Sequence, residues 1–291
     1  MDDLAEKIKA SIENPNGELW FPELTANLVA RAWESLQRDL GLKPDIYGTE
    51  RVLSRNPSAP REIITYLKTC PSTCPTARTI SIEALTPACA TQYQKQGVTF
   101  YSPDEILRTT ILSCIEEALA IINQVPSLMR TVATLVRSLH VIKPADEDHD
   151  VSFSQPHVPF SIFVSVPEKR IENDALRVAE AIVHEAMHLQ LTLVEQVVPL
   201  TTSISKKYYS PWRRENRNAK GMIHALYVFT VIDRFLAQTS WSIPQVELAE
   251  HLRKRRGEID IQITSTESFQ GSSELTMQGA HFVRTLIHSS G

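Results

Sequence analysis

Residues Val178–Val198 read VAEAIVHEAMHLQLTLVEQVV, and inside them His184-Glu185-Ala186-Met187-His188 spells HExxH. Asn173 and Asp174 upstream are good N-cap types, the run contains neither Gly nor Pro, and Pro199 closes it, so the spacing predicts one long helix. Residues four apart stand above one another on a helix, which points both imidazoles the same way. Val178, Ala181, Ile182, Val183, Leu189, Leu191 and Val194 make most of its circumference apolar, so the helix is expected to be buried. Two His and a Glu on a buried helix are costly unless something pairs them, and a first-row divalent metal such as zinc or iron does so. The competing reading is a core helix whose histidines are satisfied by neighbours.

The rest of the 291 residues bounds the possibilities. Apolar content of 42% is ample for a core, and a net charge of −4 is mild. Arg253-Lys254-Arg255-Arg256 is a short basic cluster that reads as a solvated helix face, so nucleic acid is not the expected partner. No apolar stretch is long enough to span a membrane. The charged N-terminus lacks the apolar core of a signal peptide, which predicts a cytoplasmic protein. Four cysteines do not argue for a disulfide framework at this length. Cys70 and Cys74 are spaced C-x3-C, Cys89 and Cys114 stand at no recognised zinc spacing from them, and Cys114 reads as core.

Along the chain, Leu24–Leu40 has helical periodicity, Arg51–Arg61 reads as a polar connector, and Ile63–Cys70 is ambiguous between strand and helix. A helical span is expected near Ile80–Gln96, interrupted by Pro87. Another runs from about Asp104 to Ile122 behind a Ser102-Pro103 start, and a third over Ser127–Ser138. Val141–Asp150 reads as a polar loop. Val151–Ser154 and Ser161–Val166 alternate as strands just before the metal helix, with His149 and His157 as loop histidines beside them.

The fold class expected is therefore mainly α, with a small β-sheet next to the HExxH helix in a zincin-like local arrangement. Residues 1–291 are read as a single compact unit, with a mainly helical part over 1–139 and a metal-site part over 140–291.

Beyond the metal helix, Thr201–Arg217 reads as a long irregular segment that gathers Tyr208, Tyr209, Trp212, Arg213, Arg214 and Arg217. Such a loop beside metal ligands suits an anion, because guanidinium forks pair with carboxylates. Gly221–Gln238 is a strongly apolar helix carrying His224 in its first turn, the natural third ligand for a site that needs one. The remainder, from Val246, reads as a helix, a polar turn and a terminal helix around Leu275–His288. A zinc peptidase of the common type would need a Glu on the next helix, and the long-motif type would need Gly and His after His188; LQLTLV supplies neither. Glu195 stands two turns from His188, too far along the axis to close a site with both His. Three imidazoles hold zinc or Fe(II), and this reading of the residues leaves both open.

Four separated segments go further. DVSFSQPHVPFSIFVSVP (150–167), AEAIVHEAMHLQL (179–191), YYSPWRRENR (208–217) and GMIHALYVF (221–229) are collinear and together resemble the HExxH-type, 2-oxoglutarate-dependent peptide β-hydroxylases. These enzymes modify ribosomally made precursor peptides. The resemblance runs from about Tyr93 to the end. It implies mononuclear non-haem Fe(II), with 2-oxoglutarate and O2 as co-substrates, ligated by His184, His188 and His224. It also implies Arg213 and Arg217, with Tyr208 and Ser210 of the same segment, on the 2-oxoglutarate side. Glu185 is the catalytic-site carboxylate, in a role the resemblance does not fix, and a precursor peptide is the partner. A homodimer is compatible with the sequence. The alternatives are a zinc-dependent peptidase or amide hydrolase, and a catalytically silent peptide-binding scaffold.

Overall fold

The computed structural model describes residues 3–14, 17–39, 62–68, 79–85, 87–144, 151–155, 158–170, 173–239 and 246–289. It is mainly helical, with one small mixed sheet and one two-stranded hairpin. The connector expected over Arg51–Arg61, Cys70 and Cys74, and the loop histidines His149 and His157 lie outside the described residues. Two compact units divide the chain, Met1–Leu28 with Gln190–Gly291, and Val29–Leu189.

The unit formed by Val29–Leu189 is built on a five-stranded sheet of order β1-β2-β3-β5-β4. Its strands are β1 (Glu62–Lys68), β2 (Thr79–Ala84), β3 (Ser138–Ile142), β4 (Ser152–Gln155) and β5 (Val158–Ser165). The two outer pairs are antiparallel, while β2, β3 and β5 run parallel. Parallel strands are covered on both faces and lose polar alternation. Leu139, Val141, Ile142, Ile162, Phe163 and Val164 are accordingly all buried.

That burial explains two corrections. Ile80–Gln96 is not one helical span: its first part is β2, with Ile80 and Ile82 fully buried, and Pro87 opens the short helix α3 (Pro87–Gln94) instead of interrupting one. Residues 138–142 form the fully buried central strand β3, where the sequence reads as a helix end running into a polar loop. A five-residue apolar run with one His and one Ser carries no period that separates it from a helix end. His140 sits in it as a core histidine, Nδ1 on the Glu83 carbonyl at 2.9 Å and its ring stacked on Phe163.

Helices α4 (Pro103–Arg108), α5 (Ile111–Ile122) and α6 (Pro126–Leu135) follow α3 in the crossover from β2 to β3. Ser102 caps α4 with a complete capping box to Glu105, as the Ser-Pro start predicts. The expected Asp104–Ile122 helix is nevertheless two helices. At Thr109 the backbone turns extended, and its hydroxyl bonds back to the Glu105 carbonyl. The β-branched Thr109 with its locally bonded hydroxyl competes with the helical ladder, and the Thr110 hydroxyl donates away from both helices to the Glu168 carbonyl at 3.0 Å.

The HExxH helix, α7, spans Asp174–Glu195 behind Asn173, whose φ of 71° is one that Asn adopts readily. Within the other unit, α1 (Asp3–Glu13) and the start of α2 (Pro22–Asp39) accompany α8 (Ala219–Thr239), α9 (Val246–Thr264), a 3-10 turn over Glu267–Gly271 and α10 (Met277–His288). Thr201–Arg217 is not irregular throughout, because β6 (Tyr208–Ser210) and β7 (Glu215–Arg217) pair as a hairpin. Arg214, at φ 54°, closes its turn with a backbone bond to Ser210. Among the described residues, no helix is long and apolar enough to cross a membrane.

Candidate metal-binding helix and arginine hairpin

Helix α7 brings His184 and His188 together. Their Nε2 atoms lie 3.1 Å apart, with the rings edge to face. Both are half-buried, whereas Ala186, Met187, Ile182 and Val183 between and behind them are buried. Two nitrogens bound to one ion at about 2.1 Å stand roughly 3 Å apart, so the pair fits two positions of a single first-row metal. Glu185 is buried beside them. Its Oε1 accepts a 2.8 Å hydrogen bond from the Ser152 hydroxyl of β4 and lies 3.9 Å from His184 Nε2. Nothing in the sequence marks Ser152 as that partner, since the contact is made by the sheet.

Gln190, two residues past His188, is the first residue of the stretch that belongs with Met1–Leu28, and it is bonded within that unit. Its amide donates to the Trp20 carbonyl and the Thr25 hydroxyl at 2.7 and 2.6 Å, and accepts from the buried Tyr227 hydroxyl. Gln190 is thus paired through both its amide nitrogen and its oxygen, as a buried amide requires.

His224 falls in the second turn of α8, since the helix begins at Ala219 and not at Gly221. Its Nε2 bonds Glu195 Oε2 at 2.9 Å, and Lys220 Nζ reaches the same oxygen at 3.0 Å. Burial pushes the Glu195 carboxyl up, but the bond and charge of His224 and of Lys220 outweigh it and hold the group below the ordinary carboxylate range. The sequence reading discounts Glu195 as a ligand and misses this role. A carboxylate behind an imidazole fixes its tautomer and ring orientation, and because Nε2 is the atom engaged, coordination by His224 would run through Nδ1. Among the described residues, no group of three or more His, Cys, Asp or Glu stands ready-made around one metal position.

The hairpin carries Tyr208, Ser210, Arg213 and Arg217, the four residues that the resemblance assigns to 2-oxoglutarate. Arg213 is exposed at its turn. Arg217 is half-buried at the end of β7 and lies across Gly221, where an added Cβ would come within 3.1 Å of its Nε. Asn218 caps α8 by accepting from the Gly221 amide. Arg217 thus lies along the first turn of α8, with His224 one turn further on. Ser210 is fully buried, and its hydroxyl has no hydrogen-bond partner among the described residues; the same holds for Trp212 Nε1, although the Trp212 ring stacks on Phe229. The Tyr208 hydroxyl pairs with Ser272 at 2.6 Å, and its ring packs edge-on against Phe269.

The approach to the hairpin is held by Glu274, another residue without a sequence signal. Its Oε1 accepts from the Ser203 and Ser205 hydroxyls at 2.7 Å and from the Lys206 amide at 2.8 Å, and its carbonyl accepts from Thr202. Burial alone would raise its pKa. The bonds from Ser205, Lys206 and Ser203 outweigh that and bring it from the ordinary 4.5 to about 2. A depressed carboxylate contributes its full stabilisation above the unfolded value and loses it as pH falls through the folded one. Protection of the Lys206 amide relative to its intrinsic exchange rate is expected to hold down to about pH 4.5 and to fall between there and about pH 2, whereas Glu274→Gln lacks that protection throughout. Equal protection in the Gln variant at neutral pH would show that the carboxylate does not hold the segment.

In comparison with known proteins, no family model matches this chain and no curated protein matches it.

Proposed function

We propose that this protein is an Fe(II)- and 2-oxoglutarate-dependent oxygenase that hydroxylates a β-carbon in a ribosomally made precursor peptide. The observation that carries the reading is the convergence of His184 and His188 Nε2 on one position, 3.1 Å apart, on the helix that bears one of the four resembling segments. Bound iron supplies O2 activation with 2-oxoglutarate as the electron source, chemistry that no side chain provides. His184 and His188 hold the metal through Nε2. The resemblance carries His224 into the ligand set as the third imidazole, and Glu195 orients it. Glu185, fixed by Ser152, sets a buried carboxylate beside the pair and so favours a cation there. Arg217 supplies a guanidinium for the distal carboxylate of 2-oxoglutarate, with the unpartnered Ser210 hydroxyl and Tyr208 on the same hairpin and Arg213 at its turn.

The direct test incubates the chain with Fe(II), 2-oxoglutarate and peptides encoded beside its gene, and looks for a mass gain of one oxygen that requires all three. Arg217→Ala is expected to raise the 2-oxoglutarate concentration for half-maximal turnover by about tenfold or more, the loss of one charge-assisted carboxylate pair, with little change at saturation. An unchanged requirement would remove Arg217 from the site.

The placement of Glu185 also favours a second reading, a zinc-dependent peptidase or amide hydrolase, because a buried carboxylate 3.9 Å from a ligand nitrogen stands where a water-activating base would act. Glu185→Gln separates the two: in a hydrolase it ends peptide cleavage with zinc retained, and in the oxygenase there is no cleavage to lose.

A further inference from the structure

Strand β4 ends the five-stranded sheet, and among the described residues nothing pairs with its outer edge. Its register against β5 fixes what that edge presents. Val151 stands opposite Ser165 and accepts from the Ser165 amide at 2.9 Å, so this pair and the pair two residues on, Phe153 with Phe163, face each other through their backbone groups. Ser152 and Ser154 therefore turn their N–H and C=O groups outward. Phe153 stacks on Phe163 at 4.5 Å, on the opposite face of the sheet from the side chains of Ser152 and Ser154.

Exposed edges are usually blunted by charge, proline or a bulge. Ser152–Ser154 carries none of these; the irregularity in the ladder comes after Ser154. Ser152 is also the residue whose hydroxyl holds Glu185, next to His184. The outer edge of β4, unpaired among the described residues, and the candidate metal pair are thus joined by two consecutive side-chain contacts within one unit of the fold.

We propose that the outer edge of β4 is the docking site of the peptide substrate, which adds as an extended strand through backbone hydrogen bonds to Ser152 and Ser154. The proposal rests on the oxygenase reading only for calling the peptide a substrate. An added strand lies about 4.8 Å outside β4 and alternates its side chains, so every second residue shares the face on which Ser152 meets Glu185. Affinity then comes from the peptide main chain, and the choice of residue to be modified comes from register along β4. An extended segment suits β-carbon chemistry, because a strand projects each Cβ out of the pleat.

Backbone-borne contacts do not depend on side chains, so a pool of acetylated and amidated random hexapeptides serves as the probe. Its twin is N-methylated at every residue and has no backbone N–H to donate along either edge. The unmethylated pool at millimolar concentration is expected to slow amide exchange at Ser152 and Ser154 by about threefold or more, and the twin to leave it unchanged. Ser154→Pro removes an outward N–H that the β4–β5 ladder does not use, and is expected to abolish the slowing with the far-ultraviolet circular dichroism retained. No slowing, equal slowing by the twin, or slowing that follows protein concentration without peptide would each overturn the proposal, the last by identifying a second copy of the chain as the occupant. Fe(II) binding is measured on the same unsubstituted samples. Its failure removes the oxygenase reading and leaves the exchange result standing, while unchanged exchange with iron bound removes the docking site alone.

Discussion

Alanine at His184 or at His188 is expected to abolish Fe(II) retention, lowering affinity by more than about 100-fold, since even partners behind a metal ligand are worth 10–100-fold. The two imidazoles are half-buried and meet through Nε2 at 3.1 Å, a spacing that serves equally for one hydrogen bond or for two positions on one ion. The readings differ in what the substitution removes. If the pair is only a hydrogen bond in a helix surface, either alanine costs about 1 kcal/mol of stability and changes nothing about metal. If the pair is the heart of a metal site, the metal-free variants melt within a few degrees of the parent, but the stabilisation on adding Fe(II) disappears. That stabilisation is about 2.7 kcal/mol at a free metal concentration 100 times Kd. The double variant should lose little beyond either single one, because ligands of one ion act as a unit. Equal Fe(II)-induced shifts in Tm for parent and variants would refute the assignment.

Gly279→Ala is expected to be the most damaging single methyl in the described glycine positions, costing on the order of 3 kcal/mol and roughly 5–10 °C in Tm. Gly279 lies in the first turn of α10, donating its amide to the Thr276 cap. A Cβ there would stand 2.0 Å from the Leu200 carbonyl oxygen and 2.9 Å from its carbon. Both are backbone atoms, so no rotamer relieves the clash. The Leu200 carbonyl also accepts from the Thr276 amide, and Thr201 bridges Leu275. Moving it disturbs the segment that leads from α7 to the arginine hairpin. Helix propensity alone predicts the opposite sign, since Ala is favoured over Gly inside a helix by about 0.5–1 kcal/mol. Gly257→Ala in α9 is the control: nothing lies within 4 Å of the added Cβ, and it is expected to stabilise by that amount. Thermal melts of the two variants separate close approach from propensity, and a stabilised Gly279→Ala would show that α10 does not pack on Leu200 in this way.

The features legible in the sequence are those with a period or a punctuation mark. Helices α2, α7 and α8, the Ser102 cap, and strands β4 and β5 all lie where spacing, capping residues or alternation put them. Strands β2 and β3 were hidden because a strand buried on both faces carries no alternation, and a short apolar run reads equally as a helix turn. The same limit governs the site. His184, Glu185 and His188 sit on one helix, so their mutual placement follows from helical geometry. Ser152 with Glu185, Glu195 with His224, and Glu274 with Ser203 and Ser205 are pairs made by tertiary packing between residues 29–71 positions apart. No local pattern encodes such pairs. Glu195 shows the cost of reasoning along one helix only: it is too far up the axis to join His188, yet it is the partner of an imidazole on the next helix.

The most direct test of the central claim is an anaerobic titration of the metal-free chain with Fe(II), followed by 2-oxoglutarate, recorded in the visible range. The account predicts a charge-transfer band that needs both additions, fades when O2 is admitted, and is missing from His184→Ala. Tight zinc retention with no band at saturating Fe(II) and 2-oxoglutarate would contradict it, and hydrolysis of peptides would then be the activity to assay.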